Sequence, residues 1–176
     1  MVAMLRKLVR CCVRLRRCCF SRRTPTLSRQ TAEGTVTYLK AFERLSADEK
    51  RVIRKLQLSG FSFTVNEENP KAAANIDLTM CKALWEIKSS KCETFFAVSA
   101  NLGDAAWKWR RLGDASPVRV VFENTGEVSE TVVIKQIKKL MPHIQYKPEK
   151  SDKVMIFTVD EVLYIGKSGK IRWLGK

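Results

Sequence analysis

The first thirty residues hold nine Lys/Arg and no Asp or Glu, and that imbalance decides which part of the chain can fold. A segment with a cation every two or three residues and no anion to pair with them cannot enter a core, because each uncompensated charge would lose its hydration. Folding is therefore the task of the residues that follow. Interleaved with the charges are Leu, Val, Phe and two Cys-Cys pairs, in MVAMLRKLVRCCVRLRRCCFSRR.

Wound as a helix at about 100° per residue, residues 4–20 divide into two sides. Arg6, Lys7, Arg10, Arg14 and Arg17 fall in one narrow sector, and Leu5, Leu8, Val9, Val13, Leu15 and Phe20 lie in the broad apolar sector opposite; Arg16 breaks the pattern. A wide apolar face beside a cationic strip suits the boundary between lipid head groups and acyl chains. The charges interrupt the apolar run too often for a span, which needs roughly 20 consecutive apolar residues, and no h-region of a secretory signal follows the basic start. Two uses compete. As a membrane anchor, the strip is joined by Cys11, Cys12, Cys18 and Cys19, which are candidate S-acylation sites. As a mitochondrial transit peptide, the acid-free, Arg-rich segment is followed by Ser/Thr-bearing SRRTPTLSRQT. The plainer alternative is a solvated cationic tail.

Setting the arm aside changes the charge. The formal net charge is +15, but residues 31–176 carry 24 Lys/Arg against 18 Asp/Glu, a net +6. This remainder is only moderately basic, and with 45% hydrophobic residues over the whole chain there is enough apolar material for one core. Cys81 and Cys92 are too few for a disulfide framework, and a single histidine with no CxxC spacing gives no metal site. The organisation expected is an arm over 1–23, a linker over 24–36 containing Pro25 and Gly34, and one domain over 37–176.

Within that domain the hydrophobic period alternates between 3.6 and 2. Tyr38, Leu39, Phe42 and Leu45 have helical spacing, and Ser46 with Glu49 forms a capping box before a helix burying Val52, Ile53 and Leu56 and stopping at Gly60. Phe61, Phe63 and Val65 then alternate with polar residues as a strand. IDLTMCKALWEI and CETFFAVSAN read as two extended segments, the first with helix as an alternative, and a short amphipathic segment follows between Gly103 and Gly113. VRVVFE is a strand, Ser129 to Met141 is a helix ended by Pro142, and the C-terminus reads as a short strand and a meander with a turn at Lys167-Ser168-Gly169. The expected class is α+β, with a mostly antiparallel sheet and two or three helices.

Catalytic motifs do not emerge from this pattern. His143 follows a helix-ending proline with no partner motif beside it. Gly166-Lys167-Ser168 imitates the end of a phosphate loop, but Glu161 stands where the required glycine belongs, so a hairpin turn accounts for it. The acidic residues, Asp152, Asp160 and Glu161 among them, are scattered and read as solvent-facing. The expectation is a protein without catalytic residues, cofactor or metal.

Binding signals are stronger. Trp107-Lys108-Trp109-Arg110-Arg111 interleaves aromatics with cations, the combination that stacks on bases and neutralises phosphate, although Trp107 entering a core accounts for it more simply. Lys135, Lys138 and Lys139 add a second basic strip, and together these residues are the candidate nucleic-acid contacts. A flexible basic arm ahead of a compact α+β body resembles the plan of small matrix or accessory proteins of negative-strand RNA viruses. The resemblance is one of plan and size, carries no motif and transfers no residue roles. What it implies is a non-enzymatic peripheral protein on the cytoplasmic face of an anionic membrane, bridging to a protein or nucleoprotein partner, with self-association open. The alternative is a mitochondrial matrix protein associated with RNA or ribosomes, its arm removed on import.

Overall fold

The computed structural model describes residues 33–91, 94–149 and 151–175. The arm, with its cationic strip from Arg6 to Arg17, its apolar set from Leu5 to Phe20 and the cysteines from Cys11 to Cys19, lies outside the described residues.

The elements run β1 (Val36–Tyr38), a single 3-10 turn (Phe42–Arg44), α1 (Ala47–Leu58), β2 (Phe63–Val65), β3 (Leu78–Met80), β4 (Ala83–Ser90), α2 (Phe95–Leu112), β5 (Arg119–Asn124), α3 (Glu130–Leu140), β6 (Ile144–Tyr146), β7 (Met155–Phe157), β8 (Glu161–Ile165) and β9 (Ile171–Gly175). Three helices and a mixed sheet give the expected α+β composition. Seven strands form one sheet in the order β1-β2-β3-β4-β5-β8-β9, and β6 and β7 pair separately as a ribbon. The centre of the sheet, β4-β5-β8, is parallel, while β2-β3, β3-β4 and β8-β9 are antiparallel. Parallel neighbours need crossovers, and α2 and α3 supply them.

Strand alternation sorts the side chains into two cores. Trp85, Ile87, Val121, Leu163 and Ile165 face α1, where they pack on Val52, Ile53 and Leu56. Val120, Phe122, Val162 and Tyr164 face α2 and α3, meeting Val98, Leu102, Val133 and Ile137. The helix α1 starts as its sequence dictates: the Glu49 amide donates to Ser46 Oγ, and the Ser46 amide donates to Glu49 Oε2 at 2.7 Å. It ends before Gly60, which takes φ 84°.

Three expectations are corrected. Tyr38, Leu39 and Phe42 are not a helical face: Tyr38 ends β1, Leu39 lies in the bend after it and Phe42 opens the 3-10 turn, all three exposed. The segment read as two extended pieces is a hairpin followed by a helix. Met80 pairs with Ala83 across a two-residue turn in which Cys81 and Lys82 both take positive φ, a turn usually marked by Asn or Gly. Cys81 is disulfide-bonded. Phe95, Phe96 and Val98, which suggested a strand, open the 18-residue α2, capped by Thr94 Oγ1 accepting from the Ala97 amide and closed by Gly113 at φ 66°.

Candidate functional site

The site begins with a difference in strand length. β3 has three residues and β4 eight, so the ladder between them ends at Leu78 and Trp85. The second half of β4 keeps only β5 as a neighbour, from Glu86 to Ser90. A notch of about 270 Å³ opens there, lined by Ser46, Asp48 and Glu49 from the start of α1, Asp77, Glu86 to Ser89, and Asn101 and Lys108 of α2. At roughly 30 Å³ per water, it has room for a few small polar molecules.

Register sets what faces this notch. Asp77 immediately precedes β3, and extending the pairing one step places it across from Glu86. Its Oδ2 accepts from the Ile87 amide at 2.7 Å, which ties it to the open edge of β4. Because residues two apart on a strand share a face, Glu86 and Lys88 both turn toward α2 while Trp85 and Ile87 enter the core below α1. Lys88 Nζ lies 3.1 Å from Glu86 Oε1 and is also paired with Asp104 of α2. Lys108, one turn beyond Asp104, bonds the same Glu86 Oε1. Tyr146 on the β6-β7 ribbon donates its hydroxyl proton to Asp104 Oδ1 at 3.4 Å.

Glu86 is 1% exposed, and its second oxygen, Oε2, has no hydrogen-bond partner. Burial, with Asp77 alongside, pushes its pKa up to about 7 against the pull of Lys88 and Lys108. Burial likewise raises Asp77, with Glu49 adding to it, in spite of Lys108 and the Ile87 amide. Burial alone would lower the Lys88 pKa, but Glu86 and Asp104 outweigh it, and the ammonium is held above the ordinary lysine value. The notch therefore contains a fixed positive charge beside two carboxylates whose ionised forms the fold disfavours. Paired shifts of this kind occur both at functional sites and in structural ion-pair networks.

Glu49 lines the same notch but is already committed: it closes the capping box and accepts from Lys40 Nζ at 3.3 Å. On the opposite face of the sheet, Glu123 is fully buried and accepts from Arg51, Lys55 and Ser89. Those contacts fix α1 to β4 and β5.

The expectation that acidic residues face solvent is corrected by Glu86 and Glu123, and also by Glu161, which is partly buried against Arg119. The residues singled out for nucleic acid scatter. Trp109 is 1% exposed and inside the core, its Nε1 donating to Ser116 Oγ, so it is unavailable for stacking. Trp107 lies edge-on to Phe157. Arg110, Arg111, Lys135, Lys138 and Lys139 are exposed, with Lys139 over the Phe95 ring. Only Lys108 of that set reaches the notch. Sequence reasoning passed over Asp77, Glu86 and Lys88, although a signal was present: two charged residues two apart, on one face of a strand otherwise bounded by Trp85 and Ile87.

No protein-family model matches the chain, and no curated protein matches it. Among solved structures, it is similar to a chain of the CdiA-CT/CdiI toxin and immunity complex from Burkholderia pseudomallei, at 15% identity and a TM-score of 0.49, over 81% of this chain and 100% of that one. That neighbour belongs to a bacterial toxin and immunity pair, neither viral nor mitochondrial. On this finding the expected membrane-bridging, matrix-like role and its mitochondrial alternative are corrected. Among the described residues, no helix is long and apolar enough to cross a membrane.

Proposed function

We propose that the protein is a hydrolase of nucleic-acid phosphodiesters, assisted by a divalent cation and built on Asp77, Glu86 and Lys88. This departs from the expectation of a protein without catalytic residues. The observation that carries it is Glu86 Oε2, a carboxylate oxygen buried at the foot of a polar notch with nothing bonded to it. An acceptor left in this state costs about 1–3 kcal/mol, a cost that folds retain where a ligand relieves it.

The donor set fits a hard cation such as Mg²⁺ or Mn²⁺. Such ions take oxygen ligands and keep several waters, bound through one or two carboxylates plus the phosphate of a substrate. Glu86 Oε2 and the second oxygen of Asp77 are the side-chain candidates, and strand geometry aims the Ile87 carbonyl the same way as its N–H, toward Asp77. No group of three or more His, Cys, Asp or Glu side chains forms a metal cage among the described residues, which suits an ion that completes its shell with water and substrate. When bound, the ion would polarise the phosphate and lower the pKa of an attacking water.

The chain's own groups do the rest. Lys88, kept charged and pinned between Glu86 and Asp104, stands where an ammonium neutralises charge growing on the phosphoryl oxygens. Lys108 and the basic body favour a polyanion as substrate. A protein partner belongs to the proposal as well: Phe95 and Phe96 open α2 as an exposed aromatic pair, Phe96 at 79%, and aromatic side chains are enriched where proteins meet.

The test uses purified full-length protein with labelled single- and double-stranded RNA and DNA, in Mg²⁺ or Mn²⁺. Strand scission is expected for at least one substrate, abolished by chelation and reduced at least about 100-fold in Glu86→Ala and Lys88→Ala variants with native circular dichroism. No scission of any of the four substrates in either metal would overturn the proposal.

A further inference from the structure

Two ammonium groups meet Glu86, and they are held differently. Lys88 is shared with Asp104, and its side chain is 14% exposed. Lys108 pairs, among the described residues, with no carboxylate except Glu86, and its side chain is 28% exposed on the wall of the notch. It is also close enough to Asp77 to act on that carboxylate. Glu86 is thus already paired and Asp77 feels the same charge, which is carried on a flexible four-carbon stem rooted on α2.

Lys88 and Lys108 already share Glu86 Oε1, so a divalent ion entering beside them meets strong repulsion at short range. Lys88 has somewhere to stay, because Asp104, itself bonded by Tyr146, holds it from the far side. Lys108 has, among the described residues, no second carboxylate to hold it. We infer that Lys108 is a built-in competitor of the divalent ion: its ammonium sits on Glu86, near Asp77, when the metal is absent, leaves when the metal enters, and is then free to grip the phosphate arriving at the mouth of the notch. The inference rests on the metal-binding reading above. It assigns Lys108 two successive partners and explains why a residue of the WKWRR segment lies in the notch while its neighbours do not. It also adds a counter-charge to the metal-free notch, where two buried carboxylates side by side repel each other.

The experiment measures Mn²⁺ binding directly, by electron paramagnetic resonance of the free ion, on the full chain and on its Lys108→Met variant, which keeps an apolar stem and removes the charge. The variant is expected to bind Mn²⁺ about tenfold more tightly, within the range usual for coupled sites, while its KM for the cleaved nucleic acid rises. Equal or weaker Mn²⁺ binding by the variant overturns the inference and leaves the metal site standing. Absence of Mn²⁺ binding in both proteins overturns the metal site and the inference with it. A second measurement needs no variant: acylation of lysines in the wild-type protein, read by mass spectrometry, should increase at Lys108 and not at Lys88 when Mg²⁺ is added. Protection of Lys108 by Mg²⁺, or no change at saturating ion, also overturns it.

Discussion

At the scale of single residues, Glu86 shows the tension between function and stability. Its carboxyl is buried beside Asp77 and titrates at about 7 instead of 4.5. Between those values the folded protein retains a proton that the unfolded chain has released, so this residue's contribution to stability falls as pH rises through the window. Glu86→Gln, which resembles the protonated form, should therefore stabilise the metal-free protein by roughly 1–3 kcal/mol at pH 8 and by much less at pH 5, with strand scission lost. Urea unfolding at the two pH values checks this, and a variant less stable than wild type at pH 8 would contradict it. The residues of the notch were legible only in part. Glu86 and Lys88 are visible as charges on one face of a strand, but Asp77 belongs with them only because a hairpin folds it back across nine positions. That turn, Cys81-Lys82, lacks the glycine or asparagine that announces such a reversal.

At the scale of elements, α2 is the helix that was hardest to foresee and the one that completes the site. Phe95, Phe96, Val98 and the preceding threonine have strand-like preferences, yet Val98, Leu102, Ala105, Ala106 and Trp109 recur at helical spacing and are all buried. The 18-residue length became apparent only if Gly103 was read through rather than treated as a break. That glycine is needed for contact, not for a bend: a Cβ there would lie 2.6 Å from three atoms of Tyr146, including its own Cβ. Alanine in mid-helix normally gains about 1 kcal/mol over glycine, whereas overpacking against an anchored ring costs about 1–3 kcal/mol. Overpacking should win. Gly103→Ala is expected to lower stability by about 1 kcal/mol, shifting Tm down by roughly 3 °C, and to loosen the Tyr146 contact with Asp104. A rise in Tm would mean that the ribbon yields freely. By contrast, α1, with its capping box, and the final hairpin, with Gly169 at φ 76°, follow from local chemistry and were readable from sequence.

At the scale of the whole molecule, Glu123 joins the layers. It is fully buried in β5, and Arg51 and Lys55 reach it from α1 while Ser89 reaches it from β4. Burial raises its pKa, but the bonds from Arg51, Lys55 and Ser89 outweigh this and hold the carboxyl below the ordinary glutamate value. The sign is opposite to that of Glu86: the stabilisation is full above about 4.5 and disappears as pH falls below it. Glu123→Gln leaves two cations facing a neutral group and should cost about 3–5 kcal/mol at pH 7, with a flatter loss of stability on acidification. Unfolding midpoints at pH 4 and pH 7 test this; an unchanged acid limb would show that Glu123 is not the sensitive group. Nothing in the sequence singles out this residue, since its partners lie about seventy and thirty-four positions away. The shortness of β3 has a final consequence for design. The cleft exists because a strand stops early, so its aperture can be adjusted without altering any chemically active side chain. Extra residues inserted ahead of Asp77 that continued hydrogen bonding along Lys88 to Ser90 would shutter the opening, leaving the machinery intact but unreachable.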